Sequence, residues 1–231
     1  MNQQADADVT SIRLSMDAKA TVRIGNYSRG GKNRVQVHAA DHDFHSSEML
    51  TPVGILLPAY DEFSLYGVTS KVTSDCLVDI LTQWWDANKV RFSQVTRLVL
   101  NLDNGPENNS RRTQFLFRLV SFVEISGLTI DLAYYPPYHS KYNPVERCWG
   151  VLEKHWNGAL LDSIDTALQF SASMTWRGRH PVVNLVTQTY HTGVRLGSKA
   201  MSVLETQVCR LSGLEKWFVT IRPSQARIGI V

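Results

Sequence analysis

The 231-residue chain has no run of about 18 or more apolar residues, so it offers no segment able to span a bilayer as a helix. Met1 to Val9 is polar and acidic rather than signal-like, and a cytoplasmic location is expected. Cysteine is scarce: Cys76, Cys148 and Cys209 are odd in number, widely spaced and without a Cys-x-x-Cys pair. Neither a disulfide framework nor a thiolate zinc site is indicated, and the three read as reduced, structural thiols. A Gly-x-Ser-x-Gly elbow and a P-loop are also missing, which removes two common routes to hydrolase and nucleotide chemistry. No internal repeat or low-complexity tract interrupts the chain.

What is present is the balance of an ordinary globular protein, 43% hydrophobic and 19% charged, enough for one substantial core or one domain with a smaller appendage. A net charge of +3 is too small to argue for a nucleic-acid partner by itself. Its distribution says more. Ala18 to Ala40 contains no acidic residue, while Lys19, Arg23, Arg29, Lys32 and Arg34 stand among Gly25, Gly30 and Gly31. A cationic, glycine-rich loop suits phosphate contact, because each Lys or Arg that neutralises a phosphate releases a counterion. A solvated surface hairpin explains the same residues equally well.

Ile12, Leu14 and Met16 alternate with Arg13, Ser15 and Asp17, the period of a strand, and Asp17 ends it. Residues 53–60 and 63–69 read as an antiparallel pair joined by Asp61 and Glu62, despite Pro58 near the turn. Behind Ser74 as N-cap, Cys76, Leu77, Ile80, Leu81, Trp84 and Trp85 recur at helical spacing, predicting a helix over 75–88. Leu98 to Leu102 is a buried-strand run that stops at Asp103-Asn104-Gly105-Pro106. A helix over 111–125 and a strand over 128–134 follow. Three strands and then helix, strand, helix, strand and helix is the order of an RNase H-like α/β core, a mixed five-stranded sheet flanked by helices. Right-handed crossovers let the strand before Asp103 lie parallel to the strand that ends at Asp17, and ligands gather at such carboxyl ends. The expected organisation is a polar tail at 1–9, a core at 10–176 and a small C-terminal α+β extension at 177–231. In that extension a strand at 182–190, a helix at 200–211 and a strand at 216–221 carry no catalytic pattern.

From Pro136 to Arg147 the chain leaves the last strand and enters a helix running to about Trp156. Asn143 suits the N-cap, Pro144 the first helical position, and Glu146 stands three residues after the cap, where a capping box would place it. That is a complete structural explanation of Glu146. A second one comes from Leu102-Asp103-Asn104-Gly105-Pro106-Glu107, followed 43 residues after Asp103 by Glu146 in Asn143-Pro144-Val145-Glu146-Arg147. This pattern resembles the last two acids of a DDE transposase. Ser15-Met16-Asp17-Ala18-Lys19-Ala20, Ile24-Gly25 and Ser28-Arg29-Gly30-Gly31 resemble the first acidic strand and basic hairpin of the Rhodopirellula-type branch of that family. The likeness continues at Asp41-His42-Asp43-Phe44, Tyr190-His191-Thr192-Gly193 and Trp217 to Pro223. It covers nearly the whole chain but no upstream helix-turn-helix, as in a truncated copy.

The resemblance implies a DNA transposase that cuts and joins strands at insertion-sequence ends. Two Mg²⁺ ions, with Mn²⁺ as a substitute, would be held by Asp17, Asp103 and Glu146, with Asp17 bridging both. Its partners would be the duplex DNA of element ends and target, bound by a homo-oligomer. Lys19, Arg29, Lys32, Arg34, Lys141 and Arg147 would contact phosphates, and Tyr138 and His139 would support the loop or touch an unpaired base.

Other readings stay open. His38, His42 and His45 with Asp41 and Asp43 form a compact cluster that fits no zinc-finger spacing, and Asp41 or Asp43 could replace Asp17 as the first acid. Glu107 and Asp131 are nearby carboxylates, one in a turn and one in mid-strand. Paired carboxylates could serve glycoside hydrolysis, though no aromatic sugar platform is recognisable. A non-catalytic DNA-binding remnant and an RNase H-fold nuclease are the alternatives to the transposase.

Overall fold

The computed structural model describes residues 1–27, 48–136, 142–194 and 196–224. In chain order the elements begin with α1 (Asn2–Ala7), β1 (Ser11–Ala18), β2 (Val22–Arg23), β3 (Met49–Leu57), β4 (Glu62–Val68), α2 (Ser74–Asn88), β5 (Arg97–Leu102) and α3 (Thr113–Ser126). They continue with β6 (Thr129–Tyr134), α4 (Glu146–Trp156), α5 (Ile164–Ser173), β7 (Val182–Val186), α6 (Ser198–Gln207), β8 (Val208–Arg210) and β9 (Phe218–Ile221). Contacts group the chain into two units, one of Met1–Leu14, Thr73–Pro137 and Thr192–Val231, the other of Ser15–Val72 and Tyr138–His191. The boundary falls within β1, after Leu14. The architecture is mixed α/β; the expected run of strands and helices is present from β1 to α4 with β2 added, the described residues hold nine strands where five were expected in the core and two in the extension, and no helix among them is long and apolar enough to cross a membrane.

In the first unit the strand order is β1-β5-β6-β9-β8. β5 and β6 are parallel, from Arg97 opposite Thr129 to Leu102 opposite Tyr134, and β9 runs antiparallel to β6. Leu98, Val99, Leu100, Leu102, Ile130 and Leu132 are all buried, as strands covered on both faces require. Helix α2 buries the predicted face, both tryptophans included, but its N-cap is Thr73 and not Ser74. Thr73 has the extended backbone a cap needs and its hydroxyl accepts from the Cys76 N–H at 3.3 Å, whereas Ser74 lies inside the helix and donates to the Glu107 carbonyl at 2.7 Å. Helix α3 ends at Gly127 in the left-handed region, φ +72°, where a side chain would be strained. Arg118 of α3 reaches Asp75 and Asp79 of α2 at 2.8 and 2.5 Å. The stretch expected as a polar tail contains α1; only Ala5 of that helix is buried, packed with Val99 and Ala133, so its composition hid it.

In the second unit the order is β7-β4-β3-β1. β1, β3 and β4 are antiparallel, with Asp17 opposite Gly54 and Leu57 opposite Glu62. The hairpin begins at Met49, four residues before the expected strand, and turns through residues 58–61 with Asp61 at φ +52°. β7, from the segment expected as a C-terminal extension, joins β4 in parallel from Ser64 opposite Val182 to Val68 opposite Val186. Helices α4 and α5 cover this sheet; Trp149, Leu152, Trp156, Ala167 and Met174 pack with Leu50, Leu56, Phe63 and Leu65. Cys76, Cys148 and Cys209 are free thiols, the first two buried and the third exposed.

Candidate active site

Asp17 is the penultimate residue of β1 and only 7% exposed. A buried carboxylate needs donors, and one is the indole of Trp149, whose Nε1–H donates to Asp17 Oδ2 at 2.8 Å. Trp149 lies on α4, itself buried, with its ring edge-on to Phe63 at 5.6 Å between centroids. The space for that ring exists because residue 54, opposite Asp17, is glycine: a Cβ there would stand 2.7 Å from the Trp149 ring and 2.8 Å from Phe63.

Three more bonds tie the entry of α4 to β1. The Val145 N–H donates to Ser15 Oγ at 2.9 Å, Ser15 Oγ–H donates to Asn143 Oδ1, and Asn143 Nδ2 donates to the Met16 carbonyl at 3.3 Å. This corrects the expected capping box. The helix starts at Glu146 with Val145 as N-cap residue and no side-chain cap, so Pro144 is not its first residue. Asn143 is fully buried, and its amide answers Ser15 and Met16 because an unanswered buried amide is costlier than an uncapped helix end. Backbone bonds from Glu146, Arg147 and Cys148 to Asn143, Pro144 and Val145, at 3.0, 3.2 and 2.9 Å, lead into the helix instead. Glu146, half-buried, thus opens a helix whose entry is bonded to the residues just before Asp17, while Trp149 bonds Asp17 itself.

Asp103, in the first unit, directly follows β5. Its Oδ1 accepts from the Gly105 N–H at 3.1 Å and from Asn108 Nδ2 at 3.0 Å. Asn104 between them takes φ +64°, a conformation asparagine tolerates. A Cβ on Gly105 would lie 3.2 Å from both Asp103 oxygens and 3.4 Å from Asn108 Oδ1, so glycine lets the turn close on the carboxylate. Asn108 is buried and its carbonyl accepts the Tyr134 hydroxyl at 2.8 Å; burial pushes that phenol far above its ordinary range and keeps it a donor. Asp103 Oδ2 accepts no hydrogen bond among the described residues, and neither does Asn108 Oδ1.

These donors are carboxylate and amide oxygens, the class that hard divalent cations prefer, and the unanswered oxygens of Asp103 and Asn108 fit such an ion. Among the described residues no three His, Cys, Asp or Glu side chains are gathered closely enough to hold a metal by themselves. Of the expected phosphate contacts, Arg147 is exposed in the first turn of α4, whereas Lys19 is ion-paired with Glu153. Arg29, Lys32, Arg34 and Lys141 lie outside the described residues, as do Tyr138, His139 and the cluster of His38, Asp41, His42, Asp43 and His45. Asp131 is structural: buried, it accepts from Thr220 at 2.6 Å and pairs with Arg97 at 3.4 Å. The partners that sequence reading missed are Ser15, Gly54, Asn108, Tyr134 and Trp149. Only Trp149 left a trace, standing three residues after Glu146 on one helical face.

No curated protein matches the chain significantly. Two solved structures are similar in part: the Mos1 transposase paired-end complex with left transposon end, at TM-score 0.48, and the Mos1 mariner paired-end complex with Mn, at 0.49. Each is 11% identical, over 68% of this chain and 46% of that one, so the chain spans slightly under half the length of those transposases. The profile of the Rhodopirellula transposase DDE domain matches residues 1–223, nearly the entire sequence, and the chain belongs to that family.

Proposed function

We propose that this chain is the catalytic part of a transposase that cuts and joins DNA strands at the ends of an insertion sequence, with Asp17, Asp103 and Glu146 as its acidic centre. Beyond family membership, the observation that supports the reading is the bonding of the α4 entry to residues 15–17, which sets the helix opened by Glu146 against the strand end that carries Asp17. The three carboxylates would hold Mg²⁺ or Mn²⁺; a bound pair of such ions activates the attacking oxygen and stabilises the leaving oxygen of an in-line phosphoryl transfer. The chain's own task is orientation. Trp149 holds one oxygen of Asp17, and Gly105 and Asn108 hold one oxygen of Asp103. Arg147, with Arg29, Lys32, Arg34 and Lys141, would line the phosphate path of duplex DNA, and Lys19 would join them on leaving Glu153. A homo-oligomer on DNA would bring two element ends together.

The test is nicking of a duplex that carries the element's end. Asp17→Asn, Asp103→Asn and Glu146→Gln are each expected to abolish Mg²⁺-dependent nicking with the circular dichroism spectrum unchanged. Undiminished nicking by any one removes that residue from the centre. Salt-sensitive binding of the parent protein to DNA, with no nicking in Mg²⁺ or Mn²⁺, would favour a non-catalytic DNA-binding protein instead.

A further inference from the structure

Asp17 is the acid whose surroundings are most completely built. Its backbone neighbours Ser15 and Met16 are bonded by Val145 and Asn143, and its carboxylate receives the Trp149 indole N–H at 2.8 Å. Trp149 is itself confined: it is 6% exposed, and Phe63 stands edge-on to its ring. The opposing strand position is a glycine, whose Cβ would collide with the ring. An indole has a single polar hydrogen, so a ring held in this way aims one donor at one oxygen. A hydrogen bond of this kind fixes the plane of a carboxylate and the direction of its remaining lone pairs, as partners beyond the coordinating atoms do in metal sites generally. Phe63 and Gly54 belong to the same device, one restraining the ring and the other admitting it.

We propose that Trp149 is a positioning residue: through its N–H to Asp17 it sets the orientation in which that carboxylate takes a divalent cation, and Gly54 provides the space in which it can do so. The inference rests on Asp17 being a metal-holding acid. It adds that a single turn of α4 serves two of the three acids, since Glu146 opens that turn and Trp149 follows three residues later.

The decisive variant replaces Trp149 in the full chain with β-(3-benzothienyl)alanine, which keeps the bicyclic shape and exchanges the N–H for sulfur. Mn²⁺ affinity is measured by electron paramagnetic resonance of the free ion, alongside thermal unfolding and nicking kinetics. The expected result is roughly 10–100-fold weaker Mn²⁺ binding and a lower kcat for nicking, with duplex affinity unchanged and the protein still folded cooperatively at a lower melting temperature, because the buried Asp17 loses a donor. Trp149→Phe is the second variant should the analogue fail to fold, with the same expectation for Mn²⁺. Asp17→Asn separates the two levels of the argument. If Asp17→Asn loses Mn²⁺ binding while the isostere retains it in full, Trp149 only packs and this inference falls. If Asp17→Asn itself retains full Mn²⁺ affinity, Asp17 is no ligand and the proposed acidic centre falls with it.

Discussion

Asp103 owes its orientation to a relay of three side and main chains. Tyr134 donates to the Asn108 carbonyl, Asn108 donates to Asp103, and the Gly105 N–H completes the turn. Each step is a buried or half-buried bond, so deleting a donor leaves an acceptor with nothing in place of water. Tyr134→Phe removes one hydroxyl and strands the Asn108 carbonyl, and urea unfolding is expected to show a loss of about 1–3 kcal/mol. Were the loss within about 0.5 kcal/mol, as for an ordinary surface change, the relay would not restrain the turn. None of this could be read along the chain, because Tyr134 lies 26 residues from Asn108 and only the packing of β6 brings them together. Its place at a strand end was legible, since an apolar run that stops at Asp-Asn-Gly-Pro marks the end of a strand and a turn.

At the scale of elements, one face of α4 does different work at its two ends. Toward its start it carries Glu146 and Trp149; farther on, Leu152 and Trp156 fill the core beneath the sheet of the second unit. Trp156 is completely buried, and Trp156→Ala is expected to cost roughly 3–5 kcal/mol in denaturant unfolding, well above the effect of a surface substitution. A loss below about 1 kcal/mol would mean that the helix is not seated as described. The helix and its end near Trp156 were foreseen, but its beginning was placed two residues too early. Asn143, Pro144 and Glu146 form a sound capping signature, and tertiary contact overrode it: the buried Asn143 amide had partners on β1 stronger than a local cap. The same competition moved the cap of α2 from Ser74 to Thr73, because the Ser74 hydroxyl found the Glu107 carbonyl. The strands expected at 182–190 and 216–221 are present, but their partners were not legible, as β7 pairs with β4 and β9 with β6 from more than 80 residues away.

For the molecule as a whole, the buried thiols and phenols fix its behaviour in alkali. Burial pushes the thiols of Cys76 and Cys148 and the phenol of Tyr66 up to about 12, from ordinary values of 9 and 10. A group raised in the folded state contributes its stability below the unfolded value and loses it as pH climbs toward the folded one. Unfolding free energy should therefore hold steady to about pH 8.5 and decline above about pH 9, measured by urea titration at successive pH. At pH 8 in the native state maleimide should label Cys209 alone, and in denaturant all three thiols; rapid native labelling of Cys76 or Cys148 would contradict their burial. The amino-acid sequence by itself determined most of the order of strands and helices from β1 to α4 and pointed to Asp17, Asp103 and Glu146 through their likeness to a family pattern, because periodicity and short motifs are written locally, while α1, β2, α5 and β8 escaped it. Which atoms hold those carboxylates was decided by tertiary structure alone. Ser15 and Asn143, or Asp17 and Trp149, are more than 120 residues apart, and such bonds exist only once the sheet and helix have packed.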